Sequence, residues 1–518
     1  MLPNPLRPLS GGLRPCSGRS LRDLLTYARK SYMISIQAKK HDEFSVEFKF
    51  GFDGDGKAEK GVFAVNSWLF VPNSIGINPE NYGKKQFYRD IKSNVRLITP
   101  VFSLKEIADE QALPLNSLKK AFEALASYVN QNTIDAYEYQ LKMFSAIFKS
   151  SLRDFERYIR TARALENADY LLKDYVSDVR AILSEYRKLY RIIDIPKVPE
   201  NLRGHFFLCD EFMSYIVEMR TIRIIKRIDA SKQSAALVDR RAELMAFILK
   251  EREYMKLRGY AVIHENSQQN RHVVYHHGML KKFVESELYI RLDKKRDGVA
   301  VEQIYYSLAA GLAMIFATAV AWQTQVRFGN ITWPLFIVLV VSYMMKDRIK
   351  DLLRYYFAHK LGNKYFDKKA TVEIGKKTIG DIREGVDFIS ASKTPAKVLD
   401  LRNESATIDD ATRIFEEKII LYRKRVTIDG KALAENDDYP MTGINEIMRL
   451  HLNRFTQKMD NPENPVDTIG EDGNIVSVKV QKVYYVNIVF QLQEDKESSY
   501  RHFRIAMTRN GILRVEEI

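Results

Sequence analysis

The sequence predicts a multi-domain membrane protein, with α+β cytoplasmic parts and a two-helix transmembrane hairpin near its middle. Two uncharged runs carry this prediction: Asp, Glu, Lys and Arg are absent from 303–326 and again from 328–345. A hydrocarbon core of ~30 Å requires about 20 apolar residues per helix. Strand patterns near both ends of the chain, with helical patterns between them, predict the α+β parts. We therefore expect a membrane-crossing hairpin over 304–345.

Aromatic and small residues in this stretch agree with a membrane location. Trp322 and Trp333 flank the expected loop, and Tyr343 lies near the far end of the second helix, where amphipathic rings would meet lipid headgroups. Small residues at every fourth position of the first helix would let the second helix approach closely. These residues are Ala309, Ala313, Ala317 and Ala321. The alternative is a buried hairpin inside a large soluble core.

Basic residues on both sides of the hairpin predict its orientation. Four Lys or Arg occur within 291–296 and eight within 346–369, whereas the loop contains only Arg327. Because Lys and Arg stay on the cytoplasmic side of a membrane, both termini are expected to be cytoplasmic. The expected location is a bacterial inner membrane, with a mitochondrial inner membrane as the alternative. The expected partners therefore include a lipid bilayer with anionic headgroups.

The remaining sequence divides into modules with different patterns. A heptad register from Tyr137 to Ile193, broken only at Ser151 and Asp169, predicts a coiled-coil-like seam. Its bulky Phe and Tyr residues favour an antiparallel pair folding back near 166–169 over one helix of ~90 Å. The expected modules are a basic disordered tail at 1–32, a β-rich module at 33–102, a helical region at 103–303, a basic juxtamembrane helix at 346–369 and a C-terminal α+β module at 370–518. Whether the two β-rich parts form one domain stays open.

Local signals predict several element boundaries. Ser103 and Glu106 have the spacing of a capping box at a helix start. A turn is expected after Asp53, where a calcium loop is disfavoured because Lys57 and Ala58 replace its ligand and its glycine. The other expectations are a strand at 418–428, a helix at 443–458 and a two-residue hairpin turn at 510–511.

The chain contains few signals of chemistry. Four histidines are the candidate ligands for a metal: His264, His272, His276 and His277. His272 and His276 are four residues apart, as two ligands on one helix face would be. The intervening polar stretch and the lack of a nearby Cys argue against a metal, so we expect neither a metal nor a cofactor. Phosphate-binding loops and the common hydrolase, zinc and thiol motifs are absent from the sequence.

The composition of the chain narrows the range of possible functions. The net charge of +15 fits an anionic membrane surface, and the missing aromatic platform argues against nucleic acid. Spans without ionisable side chains argue against a transporter. We expect a membrane-anchored scaffold, sensor or regulatory protein that binds a protein partner or a second copy. The alternatives are a tethered effector or enzyme with its site in a cytoplasmic module, and an oligomeric pore. Enzyme activity is left open, with a non-enzymatic role favoured.

Overall fold

A computed structural model describes residues 34–53, 61–160, 168–231, 234–265, 268, 270–329, 333–362, 366–374, 377–404, 417–435, 438–494 and 497–518. Within these residues the chain forms two compact units. A helical unit contains 99–289, and a β-rich unit joins 34–98 to 290–518. The expected tail at 1–32 and the residues expected to form a turn after Asp53 lie outside the described residues.

The helices are α1 (Lys84–Asp90), α2 (Leu104–Ala108), α3 (Leu113–Ser127), α4 (Gln131–Ile159), α5 (Ala168–Lys188), α6 (Tyr190–Ile193), α7 (Glu200–Asp229), α8 (Val238–Leu257), α9 (Asn270–Val284), α10 (Val299–Phe328), α11 (Trp333–Gly362), α12 (Ala396–Asn403), α13 (Gly430–Glu435) and α14 (Asn453–Thr456). The strands are β1 (Ile34–Lys40), β2 (Ser45–Asp53), β3 (Gly61–Pro72), β4 (Ile91–Leu97), β5 (Arg291–Arg296), β6 (Lys368–Ile374), β7 (Lys377–Ile389), β8 (Glu417–Ile428), β9 (Gly443–His451), β10 (Glu463–Ile469), β11 (Ile475–Gln481), β12 (Tyr484–Glu494), β13 (Glu497–Thr508) and β14 (Gly511–Glu517).

Two antiparallel sheets form the core of the β-rich unit, in the orders β1-β2-β9-β4 and β14-β13-β12-β3-β8-β7-β6-β5. Both sheets take strands from each end of the chain: β9 lies between β2 and β4, and β3 lies between β12 and β8. Phe48 on β2 meets Phe490 on β12 edge to face, with ring centres 5.0 Å apart. The alternating phenylalanines of β2 thus bury one sheet against the other.

Two expectations about the C-terminal strands need correction. The helix expected at 443–458 is wrong, because Gly443–His451 is a strand whose two edges pair with β2 and β4. The hairpin expected near the C-terminus is present, but Thr508 pairs with Gly511, so Arg509 and Asn510 form its turn. Gly511 has a φ of +135°, and a Cβ there would lie 2.5 Å from the Glu43 carbonyl oxygen. The strand expected at 418–428 is confirmed as β8.

Aromatic stacking organises the helical unit. Phe144 of α4 stacks on Tyr186 of α5, and Phe155 of α4 stacks on Tyr175 of α5. Residues later in α4 therefore contact residues earlier in α5. This arrangement confirms that the two helices run antiparallel, while residues 166 and 167 of the expected fold-back lie outside the described residues. Tyr186 also stacks on Phe206 of α7, with ring centres 4.6 Å apart. The capping box at the start of α2 is confirmed as well.

The predicted two-helix transmembrane hairpin is wrong. Among the described residues, one helix is long and apolar enough to cross a membrane, and it spans Glu302–Arg327 within α10. Within the described residues, the helix α11 runs from Trp333 and reaches Lys346 after 13 uncharged residues. At 1.5 Å per residue this segment is ~20 Å long, shorter than the ~30 Å hydrocarbon core. The basic juxtamembrane helix expected at 346–369 is present as the continuation of α11 to Gly362, but Lys368 and Lys369 belong to strand β6.

Candidate membrane-binding site

The apolar side chains of α10 lie largely on the surface. Only 11% of its most apolar window, within Glu302–Arg327, is buried. Ile304, Ile315 and Val326 are all exposed, and all three lie in the uncharged run 303–326. Soluble proteins rarely leave a contiguous apolar surface of this kind open to water. This surface is the candidate membrane-binding site.

The opposite face of α10 packs against α11 through small residues. Ala309 and Ala313 are buried, and Ala317 and Ala321, which continue the same four-residue spacing, are half-buried. The hydroxyl of Ser342 donates a hydrogen bond of 3.4 Å to the carbonyl oxygen of Ala317. Small side chains allow this close approach of two helix backbones. The four alanines predicted as packing residues thus share the α11-facing side, while their role in a membrane stays a prediction.

The three aromatic residues expected as interface anchors are exposed. Trp322 and Trp333 lie near the two helix ends that adjoin the loop, and Tyr343 lies on α11. The ammonium of Lys346 is 3.9 Å from the centre of the Tyr343 ring. A ring paired with a cation suits the boundary between hydrocarbon and headgroups. The structure leaves these side chains free for that use, and the anchoring role stays a prediction.

Basic residues collect where the two helices join the sheet. Strands β5 and β6 pair so that Lys295 lies opposite Lys369 and Arg296 lies opposite Lys368. Arg296 also forms an ion pair of 3.0 Å with Glu302 in the first turn of α10. Burial and the nearby charge of Lys294 lower the pKa of Lys368. Like charges directly opposite each other destabilise a strand pair. An anionic surface would offset this repulsion, so the cluster is better suited to such a surface than to a strand pair in isolation.

The four candidate metal ligands are not brought together. His264 and His272 are exposed, and the Nε2 atom of His276 lies 3.0 Å from Glu211 Oε1. His277 is buried against Tyr215, and burial lowers its pKa. Across the described part of the chain, no three His, Cys, Asp or Glu side chains are placed to hold a metal ion. Two of the four histidines therefore have packing contacts of their own.

A buried charge network in the β-rich unit was missed by sequence reasoning. Lys424 on β8 forms ion pairs with Glu384 on β7, at 3.1 Å, and with Glu446 on β9. Glu446 also accepts a hydrogen bond from Ser93, and Glu384 contacts Lys294 at 3.3 Å. The network therefore connects the two sheets. Each charge is compensated by another, which is the condition under which buried ions are tolerated.

A second buried network lies in the helical unit. The guanidinium of Arg187 contacts Glu251 and donates hydrogen bonds to Asp210, at 2.9 Å, and to Ser214, at 3.0 Å. Asp210 is fully buried and also accepts hydrogen bonds from two tyrosine hydroxyls. Burial alone would lower the pKa of Arg187, but its bond to Glu251 and the charge of Asp210 raise it. These contacts hold α5, α7 and α8 together.

Period-two patterns could have revealed the first network. Lys424 lies on the inward face of β8, between Tyr422 and Val426, and Glu446 lies between Ile444 and Met448 on the inward face of β9. A charged residue at the centre of an apolar face predicts a buried partner. The helical network has no comparable signal, because its members come from three helices far apart in sequence.

Comparisons of this chain with protein-family models, with curated proteins and with solved structures give no match.

Proposed function

We propose that this protein is a membrane-attached scaffold or sensor, in which α10 inserts into a lipid bilayer and the helical unit binds a protein partner. The observation that carries the proposal is the exposed apolar stretch Glu302–Arg327, of which 11% is buried. Left in water, such a surface would favour aggregation, whereas lipid chains would cover it. No other described helix meets the length and composition that a membrane requires.

The helix α11 supports this attachment without acting as a second span. Its first 13 residues are uncharged and accompany α10, and from Lys346 onward it carries charges that belong at headgroups or in water. The hydroxyl of Ser342 faces α10, so it is satisfied away from lipid. In this arrangement α10 supplies the insertion and α11 covers its alanine face.

The pairing of β5 with β6 supports a one-sided arrangement. These strands precede α10 and follow α11, and they hydrogen-bond to each other in one sheet. The chain therefore enters and leaves the helical pair at one place, which fits insertion of α10 into the bilayer from one side without a complete crossing. Anionic lipids are the expected headgroups, because basic residues near a membrane surface contribute about 1 kcal/mol each. The bacterial inner membrane, or the mitochondrial inner membrane as alternative, stays a prediction.

The partner-binding role is supported by an exposed apolar face in the helical unit. Val238, Met245 and Leu249 on α8 are exposed and share one face, while Leu244 and Ile248 point into the unit. Scattered apolar residues are ordinary on a surface, but three at helical spacing form a stripe that can receive another helix. The partner is a second protein, or a second copy of this chain.

Cell fractionation tests the proposal. The full chain is expected in the membrane pellet after ultracentrifugation, to resist extraction by high salt, and to dissolve in detergent. Recovery in the supernatant without detergent would contradict the membrane role. Light scattering and affinity capture of the detergent-dissolved protein then test whether it binds a partner protein or a second copy of itself. A strictly monomeric protein that captures no partner would remove the scaffold part and leave the attachment intact.

A further inference from the structure

A cavity of about 400 Å³ lies between α5 and α8 in the helical unit. Its wall contains four basic side chains and a single acidic one. The basic residues are Arg180, Arg187, Lys188 and Arg191, and the acidic one is Glu251. Phe247 forms an apolar part of the wall. Ligand cavities in proteins typically have volumes of about 300–1,000 Å³, so this one has room for a small molecule.

Two of the four cations are already neutralised inside the protein. Arg187 is paired with Glu251 and Asp210, and Lys188 is paired with Glu185. For Arg180 and Arg191 the described residues supply no carboxylate partner. Counted with the three carboxylates that pair with Arg187 and Lys188, the four cations leave an excess of one positive charge, and the guanidinium groups without a described carboxylate partner are those of Arg180 and Arg191.

Helix geometry places these two arginines on the cavity. Arg180, Arg187 and Arg191 follow one another at spacings of seven and four residues, so they lie on one face of α5 and its continuation in α6. Arg180 is held with its guanidinium 5.7 Å from the centre of the Phe247 ring. Arg187 is fixed between them by its ion pairs. Arg180 and Arg187 are thus held in place before any ligand binds, whereas Arg191 is an exposed side chain at the end of the same face.

We propose that this cavity binds a small phosphate-bearing molecule through Arg180 and Arg191. The planar guanidinium presents paired N–H donors that match phosphate oxygens, and it stays charged at all physiological pH values. Two such groups on one wall suit a ligand that carries two anionic groups. Phe247 supplies an apolar surface for the organic part of the ligand. This inference does not depend on membrane attachment.

Isothermal titration calorimetry on the full chain in detergent tests the inference, with inorganic pyrophosphate as the probe. The variant Arg180→Gln/Arg191→Gln is expected to bind at least about tenfold more weakly, since it removes the charged hydrogen bonds that the two guanidinium groups would donate to phosphate. Arg271→Gln is the matched control, because Arg271 is an exposed arginine on α9, and it should bind as the wild type does. Unchanged thermal unfolding of the double variant establishes that the helical unit is intact.

A second titration separates two sources of phosphate. Dihexanoyl phosphatidic acid, a short-chain lipid used below its micelle concentration, replaces pyrophosphate in the same variants. Arginine-dependent binding of pyrophosphate assigns the site to a free phosphorylated ligand. Arginine-dependent binding of the lipid alone assigns it to a lipid headgroup. The inference is overturned if neither probe binds, or if the double variant binds both as tightly as the wild type.

Discussion

The ammonium of Lys424 lies 3.1 Å from Glu384, its direct neighbour across the β7–β8 ladder, and both side chains are almost completely buried. Glu446, on the other sheet, is the second partner of the same ammonium. Burial alone would lower the pKa of Lys424, but the charges of Glu446 and Glu384 raise it. The lysine is therefore charged, and its removal leaves two carboxylates without a cation.

Replacing Lys424 by Met is expected to destabilise the β-rich unit by about 3–5 kcal/mol, the cost of breaking a buried ion pair from one side. Urea unfolding measures this loss through Trp68, a buried residue of the core, in a background where Trp322 and Trp333 are Phe. Lys431→Met changes an exposed lysine and should leave the midpoint unchanged. Equal midpoints for both variants would contradict a stabilising role of the network.

The stability of the β-rich unit should fall as the solution becomes acidic. Burial alone would raise the pKa of Glu384, but the charges of Lys424 and Lys294 lower it to about 2, from an ordinary value of 4.5. A carboxyl group whose pKa is lower in the folded protein than in the unfolded chain stabilises the fold at pH values above its unfolded pKa. This stabilisation is lost as the pH falls toward the pKa of the folded state. Urea midpoints between pH 5 and pH 2 should therefore drop more steeply in the wild type than in Glu384→Gln. Parallel curves would exclude Glu384 as a source of the acid sensitivity.

Tyr260→Phe should destabilise the helical unit. The Tyr260 hydroxyl donates a hydrogen bond of 2.8 Å to the fully buried carboxylate of Asp210. Hydrogen bonds to charged groups contribute about 1.5–3 kcal/mol, and this is the expected loss. Circular dichroism at helical wavelengths follows the unfolding. Tyr275→Phe removes the hydroxyl of an exposed tyrosine and is the control; a loss of the same size in both variants would show that Asp210 is not responsible.

Ile315→Asp should weaken membrane attachment. Ile315 is an exposed residue near the middle of α10, where a carboxylate in hydrocarbon costs about 2.5–3.5 kcal/mol. Flotation with vesicles of mixed neutral and anionic lipids is expected to recover a much smaller fraction of this variant. Leu249→Asp makes the same change on an exposed face of α8 and should float as the wild type does. Full flotation of Ile315→Asp would show that α10 does not enter the bilayer.

Cys209 should be unreactive while the protein is folded. The thiol is completely buried, and burial raises its pKa to about 12, so almost none of the reactive thiolate forms near neutral pH. A Cys16→Ser variant contains Cys209 as its only thiol. Maleimide labelling of this variant, followed by mass spectrometry, should detect no adduct before denaturation and one adduct afterwards. Rapid labelling of the folded protein would mean that α7 opens locally.

Local patterns predicted much of the secondary structure. The alternating phenylalanines of β2, the capping box at Ser103 and the aromatic seam of α4 and α5 each reflect an interaction between residues close in sequence or on one face. Prediction failed where the secondary structure of a segment depends on pairing with strands that are far away in the sequence. Gly443–His451 became a strand because β2 and β4 pair with its edges, and no local signal reports such a partner.

The candidate sites show the same difference between features that follow from local sequence and features that depend on tertiary structure. The exposed apolar surface of α10 follows from its own composition, so the sequence revealed it. The length of α11 did not follow, because the uncharged run begins before the helix does. The phosphate cavity needs Arg180 and Phe247 side by side, which depends on how α5 packs against α8 and therefore on tertiary structure.

The position of β3 between β8 and β12 has a consequence for biosynthesis. As the chain leaves the ribosome, the helical unit receives all of its sequence early and can fold from neighbouring segments. The strand β3 emerges before it, yet both of its partners, β8 and β12, are made after the helical unit. This strand must stay without its sheet partners through much of translation, and its phenylalanines Phe63 and Phe70 then need shielding by a chaperone or by the nascent chain itself.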